Sequence, residues 1–267
     1  MRAFYASAHL REHGGMHVCT LAPMPPIIAV GASKGGVGKT TLAYELAAVL
    51  DGVLVDLDWD GGGATRMWGF DTGAHRRSQL LDALERGPEG KPPTPRRRPH
   101  QPALVPSHPD LASSNVDDGL YADCLEAWAR SWTDARCVVV DTHPGANPAT
   151  DGALQAADLV VVPVVLGQRE LDALEGMLED FAAYRLLLVP TLTPAHPSRR
   201  LVDRLRTLAG NRRVAPPISE HRWLRRRVRR SALTLQPNPG ADVRRAAAEF
   251  RAVAGVIEEE LRAVEAA

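Results

Sequence analysis

The sequence predicts an α/β protein: a mostly parallel, twisted sheet with helices on both faces, wound in the Rossmann-like manner. Three observations predict it. Short apolar runs alternate with segments of helical spacing, the order of βαβ units. The runs are apolar at nearly every position, as strands covered on both faces require. Two of them lead into aspartates, Asp56 and Asp141, at the carboxyl ends where open sheets bind ligands.

The elements follow in order. Residues 1–26 carry Arg2, His9, Arg11 and Glu12 and no apolar stretch of secretory-signal length; they are read as a disordered or extraneous extension, with Met16 or Met24 as the working start. Residues 27–30 are a buried strand ending at Gly31, and a glycine-rich loop follows. Residues 40–50 are helical, with Leu42, Leu46, Val49 and Leu50 on one side. Residues 53–57 are a second strand and 79–85 a short helix. Residues 87–109 hold eight prolines and the run Arg96-Arg97-Arg98, which predicts a surface insertion outside the core. Residues 118–132 read as helix, 137–140 as a strand ending in Asp141, and 159–165 and 186–189 as further strands. Helical patterns occupy 168–183, 199–208 and 241–264. With no internal repeat, 27–267 reads as one domain.

Composition narrows the function. The chain has 267 residues, 45% of them hydrophobic, and a formal net charge of zero, so attraction to nucleic acid has to come from local clustering. Cys19, Cys124 and Cys137 are widely spaced, which indicates neither a zinc site nor a disulfide framework. No apolar run approaches the roughly 20 residues of a membrane span. Of 32 basic side chains only three are lysines, Lys34, Lys39 and Lys91, and the first two flank one glycine-rich loop.

That loop runs Ser33-Lys34-Gly35-Gly36-Val37-Gly38-Lys39-Thr40-Thr41, between a strand and a helix. A triphosphate needs many N–H donors at close range. Glycines let the backbone wrap with its amides inward, and the helix N-terminus adds partial positive charge. Lys39 would reach the β- and γ-phosphates of ATP, and the Thr40 hydroxyl would ligate Mg²⁺. The string K-G-G-V-G-K-T-T resembles the deviant Walker A motif of the ParA/MinD family of P-loop ATPases, with Ser33 where the generic motif has glycine. The resemblance implies nucleotide contacts from Lys34, Gly35, Gly36, Val37, Gly38, Lys39, Thr40 and Thr41, and a Lys34 that crosses a dimer interface to the partner's ATP.

In 53–58, period two puts Asp56 and Asp58 on one side of the strand end. The stretch resembles the family's D-x-D-P-Q segment, and Gly62-Gly63-Ala64-Thr65 its G-N-A-T-like continuation. By that resemblance Asp58 orients the attacking water and Asp56 lies near the Mg²⁺ shell. Trp59 and Asp60 stand where the family has Pro and Gln, so the departure touches hydrolysis rather than binding. Asp141 closes a Walker B-like strand and would hold a Mg²⁺-bound water; His143 replaces the first proline of the family's D-x-P-P. Residues 159–171 resemble the strand and switch that follow.

Residues 196–230 carry twelve arginines against Asp203 and Glu220. On a helix Arg222, Arg225, Arg226 and Arg229 would share a face, with Leu224 and Val228 elsewhere, a footprint for DNA phosphates. The resemblance implies a weak, partner-stimulated ATPase whose ATP-bound homodimer binds DNA without sequence preference and serves plasmid or chromosome partitioning. It also implies a ParB-like centromere-binding partner and a cytoplasmic, nucleoid-associated location. A MinD-type regulator or assembly factor with little DNA binding is the alternative; its membrane-seeking form fits poorly with the acidic, alanine-rich 256–267. An iron–sulfur ATPase needs cysteines placed for a shared cluster, which these three are not, and a tyrosine kinase of this loop type would carry a tyrosine-rich tail, which this sequence does not show.

Overall fold

The computed structural model describes residues 24–32, 34–60, 63–71, 76–226 and 230–265. Of the extension read at 1–26, residues 1–23 lie outside the described residues, while Pro26 O accepts from Val138 N at 2.9 Å beside the first strand. Seven parallel strands form one sheet in the order β3-β2-β4-β1-β5-β6-β7. They are β1 (Ile27–Val30), β2 (Val53–Asp56), β3 (Ala103–Val105), β4 (Val138–Asp141), β5 (Leu159–Val165), β6 (Leu186–Thr191) and β7 (Arg213–Val214).

Strand periodicity divides the core in two. Ile27, Ala29, Val53, Val55, Val138 and Val140 point to one face. There α3 (Leu80–Glu85), α4 (Asp118–Ser131), α5 (Pro148–Ala156), α6 (Gln168–Asp180) and α7 (Arg199–Ala209) cover them. Ile28, Val30, Leu54 and Val139 point to the other face, under α1 (Lys39–Val49), α2 (Ala64–Trp68) and α8 (Ala241–Glu265). The strands β1 to β6 are buried almost throughout, which is why their sequences show apolar runs rather than alternation, whereas β7 is partly exposed. Side-chain caps start two of the helices that flank the site. Asp117 accepts from Leu120 N at 2.8 Å to begin α4, and Asn147 accepts from Thr150 N at 2.9 Å to begin α5.

The structure differs from the sequence reading at three places. The proline-rich 87–109 segment is not wholly outside the core: Ala103–Val105 is the sheet's edge strand, paired in parallel with 53–55 and buried. Pro102 and Pro106 sit just outside that three-residue strand, positions an edge strand tolerates. Trp68 on α2, fully buried, reaches across to it, donating from Nε1 to Pro102 O at 2.8 Å while the Arg98 guanidinium lies 4.4 Å above its ring. Second, α2 and β7 were not anticipated, since each carries too few residues to show a period.

The third difference concerns the arginines. Residues Arg222–Arg226 form a 3-10 helix. With about three residues per turn there, the α-helical register expected of Arg222, Arg225 and Arg226 does not apply to those three positions. Arg229 and the side chains of Arg225 and Arg226 lie outside the described residues.

Candidate active site

β1 delivers the chain to the centre of the sheet, where the glycine-rich loop turns it into α1. Gly36 and Gly38 hold φ of 78° and 94°, a region where a side chain is strained. A Cβ built on Gly35, Gly36 or Gly38 would meet nothing within 4 Å, so the loop opens onto a cradle rather than onto packed protein. Val37 is buried, and its carbonyl accepts from Thr191 Oγ1 at 2.8 Å, tying the loop to the end of β6. Lys39 is buried, its Nζ 3.4 Å from the Lys34 carbonyl. Burial lowers the Lys39 pKa, while the Asp141 and Asp58 charges act to raise it. Lys34 is exposed, and its Nζ donates to Arg169 O at 3.2 Å in the first turn of α6.

Parallel register sets Val30, Asp56 and Asp141 side by side, since Asp141 pairs with both of the others. The two aspartates are fully buried but differently employed. Asp56 Oδ2 accepts from Thr65 N and Thr65 Oγ1, each at 2.6 Å, and Oδ1 accepts from Asp58 N at 3.0 Å. Burial pushes its carboxyl up to about 7 against those bonds. Its oxygens are engaged in anchoring the loop after β2, so Asp56 is placed near the site as a brace. Asp141 has both oxygens without a hydrogen-bond partner among the described residues. Burial first and the Asp56 charge second raise its carboxyl well above the usual range; the Thr40 hydroxyl and Lys39 act in the opposite sense. A buried carboxylate with unspent lone pairs, beside a threonine hydroxyl at a helix start, is a donor set suited to a hydrated Mg²⁺.

Asp58 is half-buried at the mouth of the cradle and accepts from Asp60 N at 3.1 Å. Gly63 makes this arrangement possible: a Cβ there would lie 2.8 Å from Asp56 Oδ1 and 3.1 Å from Asp58 Cβ. Trp59 and His143, two of the three residues that break the family pattern, lie face to face, ring centroids 4.0 Å apart and planes within 4°. No pattern in the chain signals that stacking, because the two positions are far apart along it.

Beside the loop opens a pocket of about 460 Å³ lined by Gly36, Thr41, Leu192, Ile218, Leu224 and Phe250 among others. The segments that follow β6 and β7 supply its far wall, through Leu192 and residues 218–221. Glu249 on α8 pins that wall, accepting from Ser219 N at 2.9 Å and Ser219 Oγ at 2.8 Å and contacting His221 Nε2 at 2.9 Å. The volume suits a nucleoside.

Of the arginines at 196–230, several are paired within the chain. Arg204 meets Asp172 at 2.7 Å and Glu175 at 3.3 Å, and Arg206 meets Asp203 at 3.3 Å. Arg213 pairs with Glu259 and Glu260. Arg222 is exposed, with Glu220 3.9 Å away.

Residues 26–188 match the family described as an AAA domain. The chain is 33% identical over 177 residues to the chromosome-partitioning ATPase Soj of Thermus thermophilus, a stretch covering 62% of this chain and 65% of that protein. It is 33% identical over 170 residues to the chromosome partitioning protein ParA of Caulobacter vibrioides, covering 57% and 60%. The chain thus spans slightly less than two thirds of the length of these relatives. Among solved structures, an ATP complex of Cyanothece McdA superposes with a TM-score of 0.66 at 17% identity, covering 90% of this chain and 97% of that one, a likeness of fold.

Proposed function

We propose that this chain, which belongs to the AAA-domain family and stands with the ParA/MinD P-loop ATPases, is a partition ATPase: it binds Mg-ATP, hydrolyses it slowly, and uses the nucleotide to govern its dimerisation and its hold on DNA. The observation that carries this is the convergence of Lys39, Asp58 and Asp141 on one open glycine cradle at the mouth of a nucleoside-sized pocket.

The triphosphate lies along 34–41, with the base and ribose in the adjoining pocket. Lys39 neutralises the terminal phosphates, and their charge in turn restores to its ammonium what burial takes away. Thr40 and Asp141 would hold Mg²⁺, Asp141 through water, with Asp56 bracing from behind. When bound, the ion offsets charge on the β- and γ-phosphates. Asp58 accepts a hydrogen bond from the water that attacks the γ-phosphorus, and the bond to the β–γ bridging oxygen breaks to leave ADP. Lys34 exchanges the Arg169 carbonyl for the phosphates of a second copy, making the dimer depend on ATP. Residues 27–267 act as one domain, and Arg222, Arg225, Arg226 and Arg229 contribute to a nonspecific DNA surface. A ParB-like protein stimulates hydrolysis at the nucleoid.

The test combines ATP binding, ATPase rate and DNA co-sedimentation with ATP or ADP at two salt concentrations. Lys39→Ala is expected to lose nucleotide binding. Asp58→Ala should keep ATP and the dimer while turnover stops. DNA retention indifferent to nucleotide would sink the switch.

A further inference from the structure

We infer that Trp59, Asp60 and His143 form a clamp that positions Asp58 for hydrolysis, making them positioning residues at the site just described. The inference rests on the ATPase reading of that site.

Three side chains that depart from the family pattern, two after β2 and one after β4, touch one another. The Trp59 indole stacks on the His143 imidazole at 4.0 Å, and His143 Nε2 stands 3.0 Å from Asp60 Oδ2. The ring's other nitrogen, Nδ1, is 2.8 Å from the Pro144 carbonyl, so its plane is fixed from both ends. Both termini of this bridge are anchored. On the β4 side, Thr150 Oγ1 donates to His143 O at 2.9 Å, and Thr150 is itself held by Asn147, the residue that caps α5. On the β2 side, the Asp60 amide donates to Asp58 Oδ1 at 3.1 Å, and Asp58 N donates in turn to the buried Asp56. The Asp58 carboxylate is thus reached from the start of α5 through an unbroken path: Thr150, His143, Asp60 and the Asp60 amide.

The path matters because Asp58 sits on a loop, half-exposed, and has to hold a water within hydrogen-bond geometry of a phosphorus. A misplacement of about 1 Å costs roughly a hundredfold in rate, and such residues are held only as well as the shell behind them. The Asp56–Thr65 bonds fix the start of the loop but not the Asp58 carboxylate. The Asp60–His143 contact supplies the missing constraint, and the Trp59 face keeps the imidazole from rotating away.

The full chain tests this through kcat and ATP affinity measured separately. Asp60→Ala and His143→Ala are each expected to lower kcat about 10- to 100-fold while ATP affinity stays within about twofold. The double variant is expected to be no slower than either single one, since one path is cut only once. Trp59→Phe, which keeps a ring to stack, should recover most of the kcat that Trp59→Ala loses. A merely structural contribution would move affinity and kcat together. Without nucleotide, Trp59 emission, isolated by subtracting the Trp59→Phe spectrum, should rise in His143→Ala as the quenching ring is removed. Singles with unchanged kcat, or losses that multiply in the double, would overturn the clamp, as would unchanged emission. A wild-type rate no higher than that of Asp58→Ala would instead refute the ATPase reading, with the emission measurement still deciding whether the clamp exists.

Discussion

Glu260 takes two arginines at once, Arg185 Nη2 at 2.7 Å and Arg213 Nη1 at 3.3 Å. Burial alone would raise its carboxyl, but the hydrogen bonds and charge of Arg185 and Arg213 outweigh it and hold it below the ordinary 4.5. A carboxyl depressed in the folded state contributes stability that is complete above its unfolded value and fades as pH falls through the folded one. Glu260→Gln is therefore expected to lower Tm at pH 7, with the gap to wild type closing in acid below 4.5; thermal scans across pH read it. At this scale the sequence was most legible where chemistry is local. Lys39, Thr40 and Asp141 were assigned from motif and strand end, and they converge. Asp56 was legible in position, but its hydrogen bonds from Thr65 and Asp58 were not, because nothing in the sequence shows which donors the fold would bring to it. Gly63 was visible as part of a motif, but its close approach to Asp56 exists only in three dimensions.

Elements were readable in proportion to their length. The helices at 118–131 and 168–180 and the strands at 159–165 and 186–191 are long enough to display a period. The edge strand at 103–105 was hidden by its prolines, and the 3-10 turn at 222–226 was read as α-helical because an i, i+3 pair such as Arg222 and Arg225 fits either helix while five residues are too few to tell them apart. Packing between elements was not legible at all. Gly152 lies inside α5, where a glycine ordinarily weakens a helix. A Cβ there would come within 2.4 Å of both Asp118 O and Tyr121 Cβ on α4, so the residue permits two helices to touch. Gly152→Ala is expected to destabilise by about 1–3 kcal/mol despite the gain in helix propensity. Urea unfolding, with an unchanged m-value, measures it.

For the whole molecule the question is how a chain of zero net charge would hold DNA. Arg222 has a side chain 89% exposed, and its ion pair with Glu220 is a long one at 3.9 Å, so a phosphate could compete for it. Arg222→Ala is expected to weaken ATP-dependent DNA retention without changing ATP affinity. It should also reduce the slope of log affinity against log salt by about one for each phosphate that the variant leaves unneutralised. A filter-binding series at several salt concentrations reads both.

The acids on α8 and α6 bear on that measurement. Glu258, Glu259 and Glu260 face Arg136, Arg185 and Arg213, and Asp172 and Glu175 face Arg204. These carboxylates act as built-in counterions: an arginine already neutralised from within brings less charge with which to displace cations condensed on a double helix. If the chain holds DNA as proposed, tallying guanidinium groups over 196–230 would overstate the ion release accompanying association, since Arg204, Arg206 and Arg213 already face acids of the chain.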